Sequence, residues 1–312
     1  MAAANILSNL SFWIILGIVC ALIIGPIGSF SSTLMIIVLI IQMTLSMDGL
    51  NFNTDNLKKN RKQILYSIVA CFVISSGVTL AVGSLFAAGH SNIWNGWVLL
   101  AAVPSAVSCV TMSFFLRGNT MMCVLSMAVI YLAALVLTPS ITMGMIGESV
   151  SIPKIFSYVV LFVAIPMAAS VPMKKVKISR TVRVIVINAM IFIMIFLSLG
   201  QNREYLLSEY GVVLLVIAAC VIRIFGVSFV MLYFMKKRNA DRGNSMVYLP
   251  MAVWKNSGLA TTLCFVLFGS AAEAAIPCAI SLLIEVLWFA AISGYIERVW
   301  PADKDVPCSD NG

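Results

Sequence analysis

Residues 250–260 read Pro-Met-Ala-Val-Trp-Lys-Asn-Ser-Gly-Leu-Ala and lie in the middle of a long apolar run. Pro250 and the polar segment that starts at Lys255 would interrupt any helix formed there. An earlier apolar run is interrupted in the same way, because residues 103–115 read VPSAVSCVTMSFF and begin with Pro104. Matching interruptions in two separate membrane helices are typical of secondary transporters. The sequence therefore predicts two broken helices at the centre of a membrane protein.

The composition of the chain indicates a surface that faces lipid rather than water. Of 312 residues, 61% are hydrophobic and only 10% are charged, with a mean hydropathy of +1.04. Soluble domains carry about 25% charged residues, so a cytosolic enzyme, a disulfide-rich secreted domain and a disordered scaffold are excluded. Ten apolar runs are long enough to cross a bilayer. They are 11–28, 31–47, 63–88, 95–116, 120–146, 154–173, 182–201, 208–235, 246–269 and 272–296.

The basic residues predict the orientation of these ten spans. Nearly all of the 20 Lys and Arg lie in loops on one side, and only Lys154 and Arg203 lie in loops on the other. By the positive-inside rule we expect a plasma-membrane protein with both termini in the cytoplasm. The net charge of +8 then reflects cytoplasmic loops and not nucleic-acid binding. Residues 1–150 and 151–300 would form two inverted repeats of five helices, followed by a cytoplasmic tail at 301–312.

Three charged residues lie near the middle of apolar runs, namely Arg223, Lys255 and Glu285. Charges at membrane depth cost about 2.5–3.5 kcal/mol each on insertion scales, and they often mark transport pathways. One interpretation is a structural salt bridge that joins the eighth, ninth and tenth spans, and the other is binding of a substrate or coupling ion. Two cations and one anion leave one positive charge without a partner. The chain has no recognisable catalytic or nucleotide-binding motif, and we expect no enzymatic activity.

Three short motifs resemble the bile acid:sodium symporter family, which belongs to the bile/arsenite/riboflavin transporter superfamily. They are Arg-Gly-Asn at 117–119, Leu-Thr-Pro at 137–139 and Asn-Ser-Gly-Leu-Ala at 256–260. The resemblance implies an all-α membrane protein of ten helices, with a panel domain (spans 1, 2, 6 and 7) and a core domain (spans 3–5 and 8–10). The broken fourth and ninth spans would cross at the bilayer midplane. Such proteins carry organic anions, usually with sodium, by alternating access between panel and core.

The sequence departs from the family pattern where the resemblance implies sodium ligands. The side-chain oxygens expected there are replaced by Cys71, Cys109, Val110, Ile130, Tyr131, Met251 and Lys255. We therefore expect no sodium site and no cofactor, with the Lys255 ammonium in place of sodium; proton coupling through Lys255 is a further option. The residues predicted to bind the substrate or to couple its transport are Pro104, Ser105, Ser108, Cys109, Thr111, Arg223, Lys255, Asn256, Ser257 and Glu285.

Several functional interpretations remain open at this stage. The first is a sodium-independent carrier whose partners are a small organic anion and the lipid bilayer, with no obligatory protein partner. The second is an arsenite-type efflux carrier, because residues 283–286 (Leu-Ile-Glu-Val) resemble a segment of the tenth helix of such carriers. The match is partial, since Ser105 stands where a thiol is expected and Cys109 lies one turn further on. A sodium-coupled symporter with altered sites is the third. A receptor or scaffold that binds without transporting is the fourth.

Overall fold

The computed structural model describes residues 7–28, 31–47, 54–147, 152–173, 176, 178–269 and 272–301. Helices dominate these residues, and none of them belongs to a strand. Six helices are long and apolar enough to cross a membrane. They are Arg61–Phe86, Thr120–Ile146, Pro153–Met173, Thr181–Gln201, Tyr210–Lys237 and Glu273–Val299. The chain is thus a multi-pass membrane protein.

The described residues of the first half form seven helices, and the third and fourth predicted spans are irregular. Span 3 is one helix of four parts, Arg61–Ile68, the π-helical Val69–Ser75, Ser76–Gly83 and the 3₁₀ turn Ser84–Phe86. Span 4 consists of two helices separated by a break. In order, the helices are α1 Leu10–Ile24, α2 Ser31–Ser46, α3 Thr54–Lys59, α4 Arg61–Phe86, α5 Ser91–Ala102, α6 Cys109–Phe115 and α7 Thr120–Ile146.

Seven helices are also formed by the described residues of the second half, and the ninth predicted span is the broken one. The helix α8 comprises Ile152–Val159, the π-helical Val160–Ala164 and Ile165–Met173. The others are α9 Arg180–Gln201, α10 Arg203–Ser208, α11 Tyr210–Lys237, α12 Arg242–Val253, α13 Ser257–Phe268 and α14 Ile276–Val299. The break in the fourth span contains Pro104, as predicted, whereas Pro250 lies inside α12 and the ninth span breaks after it, between Val253 and Ser257, at the start of the predicted polar segment. The count of ten spans and their inverted repetition stay predictions, and the tail from 302 to 312 lies outside the described residues.

The helices pack in two groups. In one group, α9 lies along α1 and α2, and the second part of α8 packs against α2. In the other, α11 packs against α12 and α14, α12 contacts the π-helical part of α4, and α5 contacts α7 and α13. The two groups meet where α13 contacts α2, where α14 contacts α9 and where the first part of α8 contacts α7. The ninth span therefore lies at the boundary between the groups.

The Arg-Gly-Asn motif at 117–119 forms a tight turn that docks onto the start of α12. Arg117 adopts a positive φ of 52°, and the amide of Asn119 donates to the carbonyl of Gly243 at 2.9 Å. A β-carbon on Gly118 would lie 2.7 Å from Ser113 Oγ and 2.8 Å from Met246 Cβ. Glycine is favoured at this position because a β-carbon would collide with these two side-chain atoms.

Candidate transport site at the crossing of the two broken helices

The two helical breaks lie against each other and pair through their backbones. The amide of Asn256 donates to the carbonyl of Pro104 at 2.8 Å, and the amide of Ala106 donates to the carbonyl of Trp254 at 3.2 Å. The result is an isolated antiparallel bridge between Ser105 and Lys255. Backbone groups at membrane depth have no water to bond, so a broken helix survives only where protein groups satisfy it. Each break provides backbone hydrogen-bond partners for groups of the other break that have no helical partner.

The Lys255 side chain extends away from the bridge into a cage of oxygen atoms. Four oxygen atoms share the three hydrogens of its Nζ atom: the carbonyls of Ala101 and Val103, both at 2.9 Å, and the carbonyl of Cys71 and Ser76 Oγ, both at 3.0 Å. The residue is fully buried. All four acceptors are neutral oxygens, so the ammonium is held by dipoles and not by a carboxylate.

Two features of the local backbone create this cage. The π-helical turn Val69–Ser75 departs from the regular hydrogen-bond ladder, and the carbonyl of Cys71 within it faces Lys255. The helix α5 ends at Ala102, so its last carbonyls have no intrahelical partner. The Phe72 ring, 5.3 Å from Nζ, adds a cation–π contact. The cage thus depends on two irregular segments that lie side by side.

The second cation at membrane depth, Arg223, forms an ion pair with Glu285. Its Nη2 atom lies 2.9 Å from Glu285 Oε1, and both side chains are buried. Nη1 donates to the carbonyl of Val253, where α12 ends, at 3.2 Å. Glu285 also accepts the backbone amide of Lys255 at 3.2 Å and the hydroxyl of Ser257 at 3.0 Å. The pair therefore provides hydrogen-bond partners for the backbone groups at the break in the ninth span, and these partners come from α11 and α14.

Asn256 fixes the start of α13. Its Oδ1 atom accepts the amide of Leu259 at 3.1 Å, which is an N-terminal cap. Its Nδ2 atom donates to Tyr131 Oη at 2.9 Å. The cap connects α13 with α7.

A cavity of about 530 Å³ lies beside the crossing, between the two groups of helices. Most of its lining is apolar. Polar residues are also present in it, and Lys255 is the one charged residue among the described residues that line it. Its polar lining residues are Ser8, Ser11, Gln42, Ser46, Ser108, Thr111, Asn188, Ser198, Lys255, Asn256, Ser257 and Thr261.

Residues 33–209, more than half of the chain, match the Sodium Bile acid symporter family. The chain belongs to this family. The matched range includes the break in the fourth span and the Arg-Gly-Asn turn, and it ends before the ninth span. A search of curated proteins finds no significant match. Membership identifies a transporter family and agrees with the apolar helices.

In this family member, the residues predicted for the site fall into two sets. Ser108, Thr111, Lys255, Asn256 and Ser257 line the cavity. The other predicted residues are not part of its described lining and support the crossing instead. These are Pro104, Ser105, Cys109, Arg223 and Glu285.

The positions predicted to have lost their sodium ligands also lie at the crossing. Ser105 Oγ donates to the carbonyl of Met251 at 2.7 Å, and Cys71 contributes its carbonyl to Lys255. The side chains of Cys109, Tyr131 and Met251 are fully buried there, and Val110 is partly buried. The absence of a sodium site is untested and stays a prediction.

Sequence reasoning missed several functional groups in this symporter family member. Ala101 and Val103 bind the ammonium through carbonyls that every residue has, so no side-chain signal could reveal them. Ser76 bears a hydroxyl, but nothing in the sequence separates it from other serines. Gln42 and Ser198 line the cavity, and Gln42 Oε1 and Ser198 Oγ are buried without a hydrogen-bond partner among the described residues. A polar residue within an apolar run was the only available sign of either.

Proposed function

We propose that this chain is a secondary active transporter of a small organic anion that operates without sodium. The substrate would bind in the cavity beside the crossing, and the carrier would alternate its access between the two sides of the membrane. The ten-span inverted repeat, the division into panel and core, and the cytoplasmic termini are parts of this proposal. Family membership supports transport, and the arrangement around Lys255 supports independence from sodium.

The observation that carries the proposal is the position of the Lys255 ammonium. Carbonyl and hydroxyl oxygens are the ligands that hard cations prefer, and four of them surround Nζ at 2.9–3.0 Å. A cation that is part of the chain cannot dissociate from it. In this arrangement it stabilises the broken helices, so neither folding of the crossing nor substrate binding would require a dissolved cation.

The cavity lining favours an amphipathic anion. Its apolar walls suit a hydrophobic body, and the unpartnered Ser198 hydroxyl can donate a hydrogen bond to an anion. Gln42 Oε1 can accept a hydrogen bond from a hydroxyl of the same substrate. Ser257 and Gly258, at the start of α13, also line the cavity. A helix N-terminus carries partial positive charge, and no carboxylate lies among the described lining residues to repel an anion.

The position of the cavity along the helices supports an inward-open state. Ser11 lies at the start of α1, Gln42 near the end of α2 and Phe115 at the end of α6. These ends share the side of the bundle on which the basic loops are predicted to lie. We infer that the structure represents the carrier with its cavity toward the cytoplasm, and that closure of this side would accompany opening of the other.

The arsenite interpretation lacks a ligand in the cavity. Arsenite carriers are expected to use a thiol, and soft ions select sulfur ligands. The described cavity lining contains no cysteine. Ser105 donates its hydroxyl to the carbonyl of Met251, and Cys109 Sγ lies 3.9 Å from the carbonyl of Trp254. These contacts favour the organic anion.

A thermal-shift experiment on the purified protein tests the proposal. Taurocholate, estrone sulfate, pyruvate and arsenite would each be added in sodium chloride and in choline chloride, over a range of pH. A ligand that binds the folded state raises the melting temperature. We expect an organic anion to raise it equally in both salts, and uptake of that anion into proteoliposomes to be equal in both salts as well.

Three results would contradict the proposal. A shift that occurs only in sodium would indicate a sodium-coupled symporter. A shift by arsenite alone would restore the efflux interpretation. Saturable binding of an anion without uptake would identify a receptor.

A further inference from the structure

A second recess lies on the outer surface of the helical bundle, and none of its lining residues lines the transport cavity. It is a groove of about 510 Å³ between the start of α4 and the middle of α7. Its apolar walls come from Leu57, Ile64, Leu65, Ile68 and Val129. Leu65 is 56% exposed, so this wall faces the surroundings and not the core. An apolar recess on the outside of a membrane protein is open to a lipid chain.

Basic side chains surround one end of the same groove. Arg61 and Lys62 belong to its lining, and Lys58 and Lys59 precede them on α3. All four are exposed. Among the described residues, none of the four forms an ion pair or a side-chain hydrogen bond. Within the described part of the chain, these four positive charges within five positions are therefore open to an external anion.

We infer that this groove binds one anionic phospholipid of the surrounding membrane. Arg61 and Lys62 would contact the phosphate of the headgroup, and an acyl chain would lie against Ile64, Ile68 and Val129. The charge complementarity supports this occupant, because basic clusters directly beside a membrane helix attract anionic lipids. The depth is also appropriate, since Arg61 begins the long apolar helix Arg61–Phe86 and lies where headgroups lie. An uncharged lipid would use the groove but leave the four cations without a partner.

The consequence is a lipid-dependent contact at the start of α4. This helix also holds the π-helical turn that contributes the Cys71 carbonyl to Lys255. A lipid that bridges α3, α4 and α7 would stabilise the end of α4 on which that turn depends. The groove is thus a binding site separate from the transport cavity, with its own ligand.

Native mass spectrometry of the intact protein in detergent tests this inference. The probes are long-chain phosphatidylglycerol, long-chain phosphatidylcholine and glycerol phosphate. We expect tighter binding of phosphatidylglycerol than of phosphatidylcholine. In the double variant Arg61→Gln with Lys62→Gln, affinity for phosphatidylglycerol should fall roughly tenfold, because each basic residue near a membrane surface contributes to anionic-lipid binding.

Two further variants separate charge from shape. The control variant Lys237→Gln with Arg238→Gln removes the same charge from exposed residues that do not line the groove, and it should bind as the wild type does. Val129→Trp fills the groove without changing charge, and it should weaken binding of the long-chain lipid.

Four results would overturn the inference. They are unchanged binding in the Arg61/Lys62 variant, equal binding of the two lipids, full displacement of the lipid by equimolar glycerol phosphate, and unchanged binding in Val129→Trp. Displacement by glycerol phosphate would indicate a site for a soluble anion.

Discussion

The ammonium of Lys255 and the backbone carbonyl of Cys71 lie 3.0 Å apart, although 184 residues separate them in the chain. The contact joins the break of the ninth span to the π-helical turn of α4. The contact stabilises both groups, because a buried ammonium requires oxygen acceptors and helical carbonyls without a helical partner require donors. A dissolved cation would meet the same need only while it was bound.

Replacement of Lys255 should leave a void that a small ammonium ion can fill. In Lys255→Ala the carbonyls of Cys71, Ala101 and Val103 lose their donor, and each unsatisfied group costs about 1–3 kcal/mol. We expect a lower melting temperature in detergent and loss of anion uptake. Methylammonium should restore part of the melting temperature. Lys255→Met, which fills the void without charge, is the control, and methylammonium should not raise its melting temperature. An equal rise of the melting temperature in both variants would indicate a general salt effect.

Arg223 and Glu285 should be strongly coupled in stability. Removal of one partner strands a buried charge and costs ~3–5 kcal/mol, so Arg223→Met and Glu285→Met should each melt far below the wild type. The double variant should melt above either single variant. Glu297→Gln removes an exposed partner that lies 3.9 Å from Arg242, and surface pairs contribute only ~0–1 kcal/mol. If the effects of the two buried changes were additive, the pairing would be wrong.

Gly118 should be intolerant of even one added methyl group. Gly118→Ala places a β-carbon against Ser113 Oγ and Met246 Cβ, and overpacking of this kind costs ~1–3 kcal/mol. The Arg-Gly-Asn turn would separate from α12, and the melting temperature should fall. Gly144→Ala is the matched control, because nothing lies within 4 Å of its added β-carbon. An equal melting temperature for the two variants would contradict the docking of this turn.

The orientation of the chain can be measured by cysteine labelling in intact cells. His90 and Lys237 are both exposed, and the predicted topology places them on opposite sides of the membrane. In a background with Cys20 and Cys308 replaced by Ser, a membrane-impermeant maleimide should label His90→Cys but not Lys237→Cys. Lysis should make the second position reactive. The opposite pattern would invert the topology and place the cavity toward the outside.

A bulky residue in the cavity wall should block binding without affecting the fold. Thr111 lines the cavity, and Phe114 lies outside the lining with 51% of its surface exposed. Both belong to α6. For the anion that shifts the melting temperature of the wild type, Thr111→Trp should abolish the shift and the uptake, whereas Phe114→Trp should preserve both. Normal uptake by Thr111→Trp would place the substrate elsewhere.

Much of the architecture follows from residue types and their order. The scarcity of charge fixed the membrane environment, and the apolar runs fixed the helices, because each membrane helix satisfies its own backbone hydrogen bonds. Pro104 lies within the break that it predicted, since proline removes a donor and disfavours continuation of the helix. The ninth span continues past Pro250 and breaks at the polar segment around Lys255. These are local effects, and the sequence carries them without reference to distant residues.

The partners of the buried charges were decided by the tertiary structure alone. The sequence allows Glu285 to pair with Arg223 or with Lys255. Only the packing of the helices shows that its partner is Arg223. The ligands of Lys255 are mostly backbone carbonyls. Every residue has one, so the residue type does not show which carbonyls bind the ammonium. Which carbonyls lack a helical partner depends on where α5 ends and where α4 becomes π-helical. Only the packing of α4, α5 and α12 brings those free oxygens to the one ammonium that they can hold.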